Sequence, residues 1–240
     1  FSPMLLRWEI AMNIVLRQEH KYQLSYLECR RLRQRFSALL QEDGHNGPEG
    51  YLVRSLYFDT PDNRDFYEKQ AGVEIRQKMR LRIYHPSDEF AMLEMKQKQG
   101  MYQRKRSLRV TREEAESLIR GCYTPLLRYK EPFAGECYAF LCTRLYRPKA
   151  IVEYRRVAFV AGGNSTRVTL DHTITATESN FDLFDPALCQ YPVCDPVQST
   201  LEVKYRDFLL DNVKCAVSAC NKTDTSLSKY AMARMATLGR

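Results

Sequence analysis

Apolar and polar side chains alternate strictly at several places along this chain. The alternation predicts strands at 15–24, 53–59, 73–84, 89–97, 103–110, 150–161, 166–175 and 200–207. Helix signals lie between them. Ser25 followed three residues on by Glu28 is a capping box that opens a helix running to Leu40. Thr111 with Glu114 repeats the signal for a helix ending at Gly121. Further helices are expected over 132–145, 209–220 and the stretch after Asp224. Breaker-rich stretches at 43–50, 162–165 and 185–199 read as loops, with no internal repeat or low-complexity linker. The expectation is an α+β fold of about eight mainly antiparallel strands with helices interspersed, a single domain over 1–240.

Successive strand side chains point to opposite faces. Over 74–83 this sets Glu74, Arg76, Lys78, Arg80 and Arg82 against Ile75, Gln77, Met79, Leu81 and Ile83. The same division recurs. Arg17, Glu19 and Lys21 share a face, as do Glu94, Lys96 and Lys98, and Glu202, Lys204 and Arg206. Tyr154 aligns with Arg156, and Arg167 with Thr169 and Asp171. On any one strand a solvated outer face accounts for this pattern. Its recurrence calls for more, because Arg and Lys strongly outnumber the acids on these faces. A carboxylate also sits two residues from a lysine three times over, in Glu19/Lys21, Glu94/Lys96 and Glu202/Lys204.

A surface so basic repels itself unless a polyanion relieves it. Curling the sheet into an antiparallel β-barrel with these residues inward makes a basic tunnel, its apolar face turned out against flanking helices. Carboxylates beside phosphate oxygens are a common means of holding Mg²⁺ or Mn²⁺. The pattern therefore points to a metal-assisted triphosphate site.

Composition narrows the partners without choosing among them. The net charge is +8, which favours nucleic acid, anionic lipid or phosphate compounds. Nucleic acid is disfavoured, since the charges lie on one alternating face without interleaved stacking aromatics. Apolar residues make up 44% of the chain, enough for a sizeable core. The eight cysteines include no CxxC pair, and only four histidines are present to build a zinc site with them. Reduced, mostly buried thiols are expected, and with them a reducing, cytoplasmic setting. No apolar run approaches the roughly 20 residues of a membrane span. The opening Phe1-Ser2-Pro3-Met4 resembles neither a signal nor a transit peptide, and 1–13 reads as an N-terminal extension.

At the same residues the chain resembles a known group. Arg17-Gln-Glu19-His-Lys21-Tyr22 is similar to the opening strand of the CYTH/triphosphate-tunnel superfamily, whose hallmark is E-x-E-x-K. Arg17 at the first Glu position is the pattern of its VTC branch. Ser55-Leu-Tyr-Phe-Asp-Thr-Pro61, Lys78-Met-Arg80-Leu-Arg82-Ile-Tyr84, Leu93-Glu-Met-Lys96, Tyr154-Arg-Arg156, Arg167-Val-Thr-Leu-Asp171, Leu201-Glu-Val-Lys204-Tyr and Ser226-Leu-Ser-Lys229-Tyr follow the VTC domain in order. The resemblance spans about 14–232.

The resemblance implies a tunnel fold and ATP-dependent polyphosphate synthesis. By matching positions, Arg80, Arg82, Lys96, Arg156, Arg167 and Lys229 would serve the transfer step. Lys21, Arg76, Lys78, Lys105, Tyr154, Lys204 and Ser228 would line the phosphate path. Glu202 would hold Mn²⁺ or Mg²⁺, with Glu19 and Glu94 as helpers. Ser226 departs from the pattern, standing where a further lysine is expected. The implied partners are ATP and polyphosphate. A separate membrane-protein partner is also implied, which would place the domain peripherally at the inner face of a membrane. The rivals are a tripolyphosphatase or nucleoside triphosphatase on the same tunnel, and a non-catalytic module that binds polyphosphate or an inositol pyrophosphate.

The other polar features read as structure. His20 alternates away from the charged face, His85 ends a strand, His172 opposes Asp171, and His45 lies in a loop. Arg30, Arg31, Arg33 and Arg35 read as a solvated helix face, the alternative being a second docking patch for anions. The segment 55–61 is read as strand and turn without a ligand role.

Overall fold

The computed structural model describes residues 17–100, 102–161, 165–226 and 228–238, with Arg17 described by its backbone alone. The expected extension at 1–13 and any role of the Arg17 side chain lie outside the described residues. The elements in chain order are β1 (Arg17–Ser25), α1 (Tyr26–Leu39), β2 (Gln41–Glu42), β3 (Tyr51–Asp59), α2 (Arg64–Gln70), β4 (Ile75–Ile83), β5 (Phe90–Gln99) and β6 (Tyr102–Thr111). There follow α3 (Arg112–Ile119), a 3₁₀ turn (Thr124–Arg128), α4 (Pro132–Thr143), β7 (Arg147–Ala161), β8 (Thr166–Thr177) and β9 (Tyr191–Pro192). The series ends with β10 (Gln198–Arg206), α5 (Asp211–Ser218), β11 (Thr223–Asp224) and α6 (Lys229–Leu238).

Caps explain the helices that the sequence announces. Ser25 Oγ accepts the Glu28 amide at 3.3 Å. The Thr111 hydroxyl and the Glu114 carboxylate accept each other's amides, at 3.2 and 2.9 Å. The helix that sequence reading misses, α2, has no such local signal. Its N-cap, Asn63, sits at φ 59° with no side-chain cap. The Asp65 and Phe66 amides are taken instead by the Asp59 carboxylate at the end of β3, at 2.9 and 3.1 Å. That carboxylate also accepts the Tyr230 hydroxyl of α6 at 2.6 Å, while Tyr146 donates to Asp65 at 2.6 Å. One buried acidic pair thus fastens α2 and α6 to the sheet.

All strands join one antiparallel sheet of order β11-β1-β10-β8-β7-β3-β4-β5-β6, with β2 paired to β7 and β9 to β8. Eleven strands replace the eight expected, the additions being pairs of residues too short to show alternation. The expected closed barrel is not seen as such, since no hydrogen-bonded ladder joins β6 to β1 or β11 among the described residues. The sheet curls nonetheless. Lys96 of β5 reaches Glu19 of β1 at 3.5 Å, although β10, β8, β7, β3 and β4 lie between them in sheet order.

The convex face carries two apolar clusters. One lies over β3 to β6 beneath α3 and α4, with Met79, Leu81, Leu93 and Leu141 fully buried. The other lies over β1, β10, β8 and β7 beneath α1 and α5, with Leu32, Phe36, Leu170 and Leu201 buried. A third cluster corrects the expectation of a uniformly charged interior. Val53, Tyr57, Val152 and Ile174 pack on Phe66 of α2 and on Tyr230 and Ala231 of α6, filling part of the concave face with apolar side chains. The cysteines correct another expectation. All eight are unpaired, but only Cys29, Cys137 and Cys220 are buried. No helix among the described residues is long and apolar enough to cross a membrane.

Candidate functional site

Register decides which charged residues meet. In the ladders Lys21 pairs with Glu202, Glu202 with Thr169, Arg156 with Asp171, Tyr57 with Arg80, Arg80 with Glu94, and Lys96 with both Lys78 and Lys105. The alternating charged faces of six strands therefore become one continuous concave surface. The bulge in the β7–β8 ladder falls at Thr173, whose φ is 51°, and it leaves the alternation of β7 intact.

Three acidic hubs organise the surface. Glu94 takes Arg80 at 2.8 Å, Arg82 at 3.4 Å and Lys105 at 2.6 Å, and Arg80 also donates to the Tyr57 hydroxyl at 2.9 Å. Glu19 and Glu202 form the second hub. Glu19 holds Lys21 at 2.6 Å, Lys96 at 3.5 Å and Lys204 at 3.9 Å. Glu202 holds Lys204 at 3.2 Å, with Lys21 and Arg156 both at 3.8 Å. Asp171 is the third hub, fully buried. Arg156 forks onto its two oxygens at 2.7 and 2.8 Å, and Lys229 reaches it at 2.6 Å. The Lys229 ammonium and the Arg156 guanidinium also lie over the Tyr154 ring, 4.6 and 5.2 Å from its centroid.

The electrostatics follow from this layout. Burial opposes the charge of Glu202, yet Lys204 and Lys21 hold its carboxyl well below the usual range. Burial likewise opposes the charges of Asp171 and Lys229. Arg156 and Lys229 still hold Asp171 low, and Asp171 holds Lys229 high. Lys21 is raised against burial by Glu202 and Glu19. Lys78 has no carboxylate beside it in the ladders, and burial together with Lys21, Lys96, Arg80 and Lys69 pushes it down to about 7. Among the described residues, the nine cations Lys21, Lys78, Arg80, Arg82, Lys96, Lys105, Arg156, Lys204 and Lys229 outnumber the four carboxylates of the hubs, Glu19, Glu94, Asp171 and Glu202, with Asp65 a further acid within electrostatic reach of Lys78.

Some residues named from sequence stand apart. Arg167 donates to Asp43 at 2.9 Å and to the Tyr51 hydroxyl at 3.2 Å, at the margin of the network. Arg76 donates to the Val73 carbonyl at 2.7 Å. Ser228 Oγ accepts the Ala231 amide at 3.2 Å, serving the first turn of α6. Glu94 belongs to a different hub from Glu19 and Glu202, and among the described residues no group of three His, Cys, Asp or Glu gathers as a metal cage. The donor set that fits a hard divalent cation is the Glu19/Glu202 pair, two carboxylates that leave further positions to phosphate oxygens and water.

Asp171, Tyr57 and Asp43 join the site without a role expected from the sequence. Asp171 had a usable signal, being the one carboxylate in alternation with Arg167 and Thr169 on a basic face. Tyr57 had none, because its hydroxyl meets Arg80 only through the β3–β4 pairing.

A curled antiparallel sheet with a basic, carboxylate-studded concave face defines a CYTH-like triphosphate-tunnel fold. The VTC domain model matches residues 16–238, and the chain belongs to the VTC domain family. Among solved structures, it is similar to a candidate adenylate cyclase from Bacillus halodurans, with a TM-score of 0.50 and 12% identity over 89% of this chain and 95% of that one. That likeness speaks for the fold alone. The PH1819 protein of Pyrococcus horikoshii OT3 aligns with a TM-score of 0.44 and 10% identity over 90% of this chain and 97% of that one. No curated protein matches the sequence.

Proposed function

We propose that this protein is a metal-dependent polyphosphate polymerase that moves the γ-phosphoryl group of ATP onto a growing polyphosphate chain. The observation that carries the reading is the excess of cations, most of them half-buried, along one concave face, where Lys78 lacks a carboxylate neighbour in the ladders. A chain of phosphates supplies the missing negative charge at regular intervals.

Phosphoryl transfer has a loose transition state, so catalysis consists largely of positioning and charge neutralisation. Arg80, Arg82 and Arg156 present planar guanidinium groups that fork onto phosphate oxygens, while Lys21, Lys96, Lys204 and Lys229 act as point charges. On ligand entry the acidic hubs yield these cations to phosphate oxygens. Tyr57 keeps Arg80 oriented, and Tyr154 keeps Arg156 and Lys229 oriented. The phosphate acceptor is already ionised at neutral pH and needs no general base. Glu202 and Glu19 would hold Mn²⁺ or Mg²⁺, which when bound neutralises charge developing on the phosphate oxygens. The unpaired thiols fit a reducing cytoplasmic setting, and a membrane-protein partner would bring the domain to the inner face of a membrane.

Incubation with ATP and Mn²⁺, with products resolved on a polyphosphate gel, tests the reading. A ladder of long chains that disappears in Glu202→Ala and Arg80→Ala is expected. Orthophosphate alone would establish a hydrolase instead, and tight polyphosphate binding without turnover would establish a binding module.

A further inference from the structure

On the convex side of the sheet, behind the basic face, lies a cleft of about 590 Å³ between β3, β7, the β4–β5 turn and the loop that precedes β9. That volume suits a small molecule. Its floor alternates with the site described above. Arg54 of β3 and Glu153 and Arg155 of β7 point away from Val53, Tyr154 and Arg156.

The walls are held firmly. The almost fully buried Arg54 gives Nε to Glu153 Oε2 at 2.5 Å, and Nη1 to the carbonyls of Leu183 at 3.1 Å and Asp185 at 2.6 Å. The Arg112 guanidinium lies 4.5 Å from the centre of the Phe184 ring and donates to the Pro86 carbonyl at 3.4 Å, tying the two rims together.

Three functional groups remain for a ligand. Arg155 is exposed and has no ion pair or hydrogen bond from its side chain among the described residues. His85 Nδ1 lies 2.6 Å from Ser87 Oγ and accepts the Ser87 amide at 3.2 Å; with Nδ1 engaged in this way, Nε2 is the ring nitrogen left to meet a ligand. Glu153 Oε2 is taken by Arg54 and by Gln190 at 3.3 Å, which leaves Oε1 as an acceptor.

We propose that this cleft binds a small sugar phosphate. Arg155 and His85 take the phosphate, Glu153 accepts hydroxyl protons, and Leu52 with Pro86 and Pro186 covers the carbon face of the ring. Arg155 and Glu153 stand two residues apart on one strand, about 7 Å, comparable to the reach from the phosphate to a distant hydroxyl of a hexose phosphate. A long polyanion suits the cleft poorly, since Glu153 repels the next phosphate and only Arg155 is an uncommitted cation. The cleft is therefore chemically distinct from the concave site.

Calorimetric titration with glucose 6-phosphate tests this, in EDTA and with the concave face first saturated with tripolyphosphate. Binding should survive the tripolyphosphate and weaken roughly tenfold or more in Arg155→Ala. His85→Ala should weaken it less, and tripolyphosphate affinity should be unchanged in both variants. These two side chains are exposed, so the variants keep the fold. The proposal is overturned by no heat at millimolar ligand, by binding that tripolyphosphate abolishes, by unchanged affinity in Arg155→Ala, or by inorganic phosphate binding as tightly. The tripolyphosphate step reports separately on the concave face, so either reading can fail alone.

Discussion

Lys229 Nζ lies 2.6 Å from Asp171 Oδ2, tying the first residue of α6 to the middle of β8. The same carboxylate is forked by Arg156 of β7. One fully buried acid thus sets the positions of two cations that the sequence separates widely.

Replacing Asp171 by Asn should destabilise the ligand-free protein by about 3–5 kcal/mol, because Arg156 and Lys229 would then face each other with only the more distant Glu202 to offset them. Tripolyphosphate, which supplies negative charge at the same place, should recover much of the loss. Denaturant melts with and without tripolyphosphate measure both effects. Equal losses in the two conditions would show that Asp171 holds the fold rather than the phosphate cations.

Lys78 should give the protein a characteristic alkaline gain in stability. Burial and its cationic neighbours lower it from 10.5 to about 7 in the folded state. Between those values the unfolded chain binds more protons, so stability rises with pH across the window and is lost as pH falls towards 7. Lys78→Met should remove that rise and stabilise the free protein near neutral pH. A bound phosphate chain should restore the charge of Lys78. Calorimetry at pH 8 in buffers of different ionisation enthalpy should then show proton uptake on tripolyphosphate binding, smaller in the variant.

Arg80→Lys tests whether geometry or charge matters at that position. Arg80 holds Glu94 and the Tyr57 hydroxyl together, which a lysine cannot reproduce in one plane. Chain synthesis, followed as polyphosphate formed per unit time, should fall by roughly tenfold or more, given the 1.5–3 kcal/mol of a charge-assisted hydrogen bond. A variant as fast as the parent would reduce Arg80 to a point charge.

Gly50→Ala should be unusually costly for a loop substitution. Gly50 has a φ of 78°, and a Cβ there would meet the Arg156 carbonyl oxygen at 2.2 Å. Backbone strain and displacement of β7 together should cost about 3 kcal/mol, read from a denaturant midpoint. Affinity for tripolyphosphate should fall as well, since Arg156 moves with its strand.

Much of this was legible beforehand because it is local. Eight strands and five helices announced themselves by two-residue alternation or by caps such as Ser25/Glu28 and Thr111/Glu114. The α2 helix did not, since Asp59 supplies its cap from the end of β3. The strands β2, β9 and β11 are held by their partners and carry no periodicity of their own.

That a strongly basic face exists follows from the order of residues alone. Side-chain alternation on a strand is a property of the backbone and needs no partner. Pairing register and sheet curvature are not local, and what they bring together emerges only in the folded sheet. It divided the three expected glutamates between two hubs, made Asp171 the buried partner of Arg156 and Lys229, left Lys78 among cations, and filled part of the concave face with α6. The difference is one of range. Alternation is set by neighbouring bonds, whereas these contacts join residues that only the packed sheet makes neighbours.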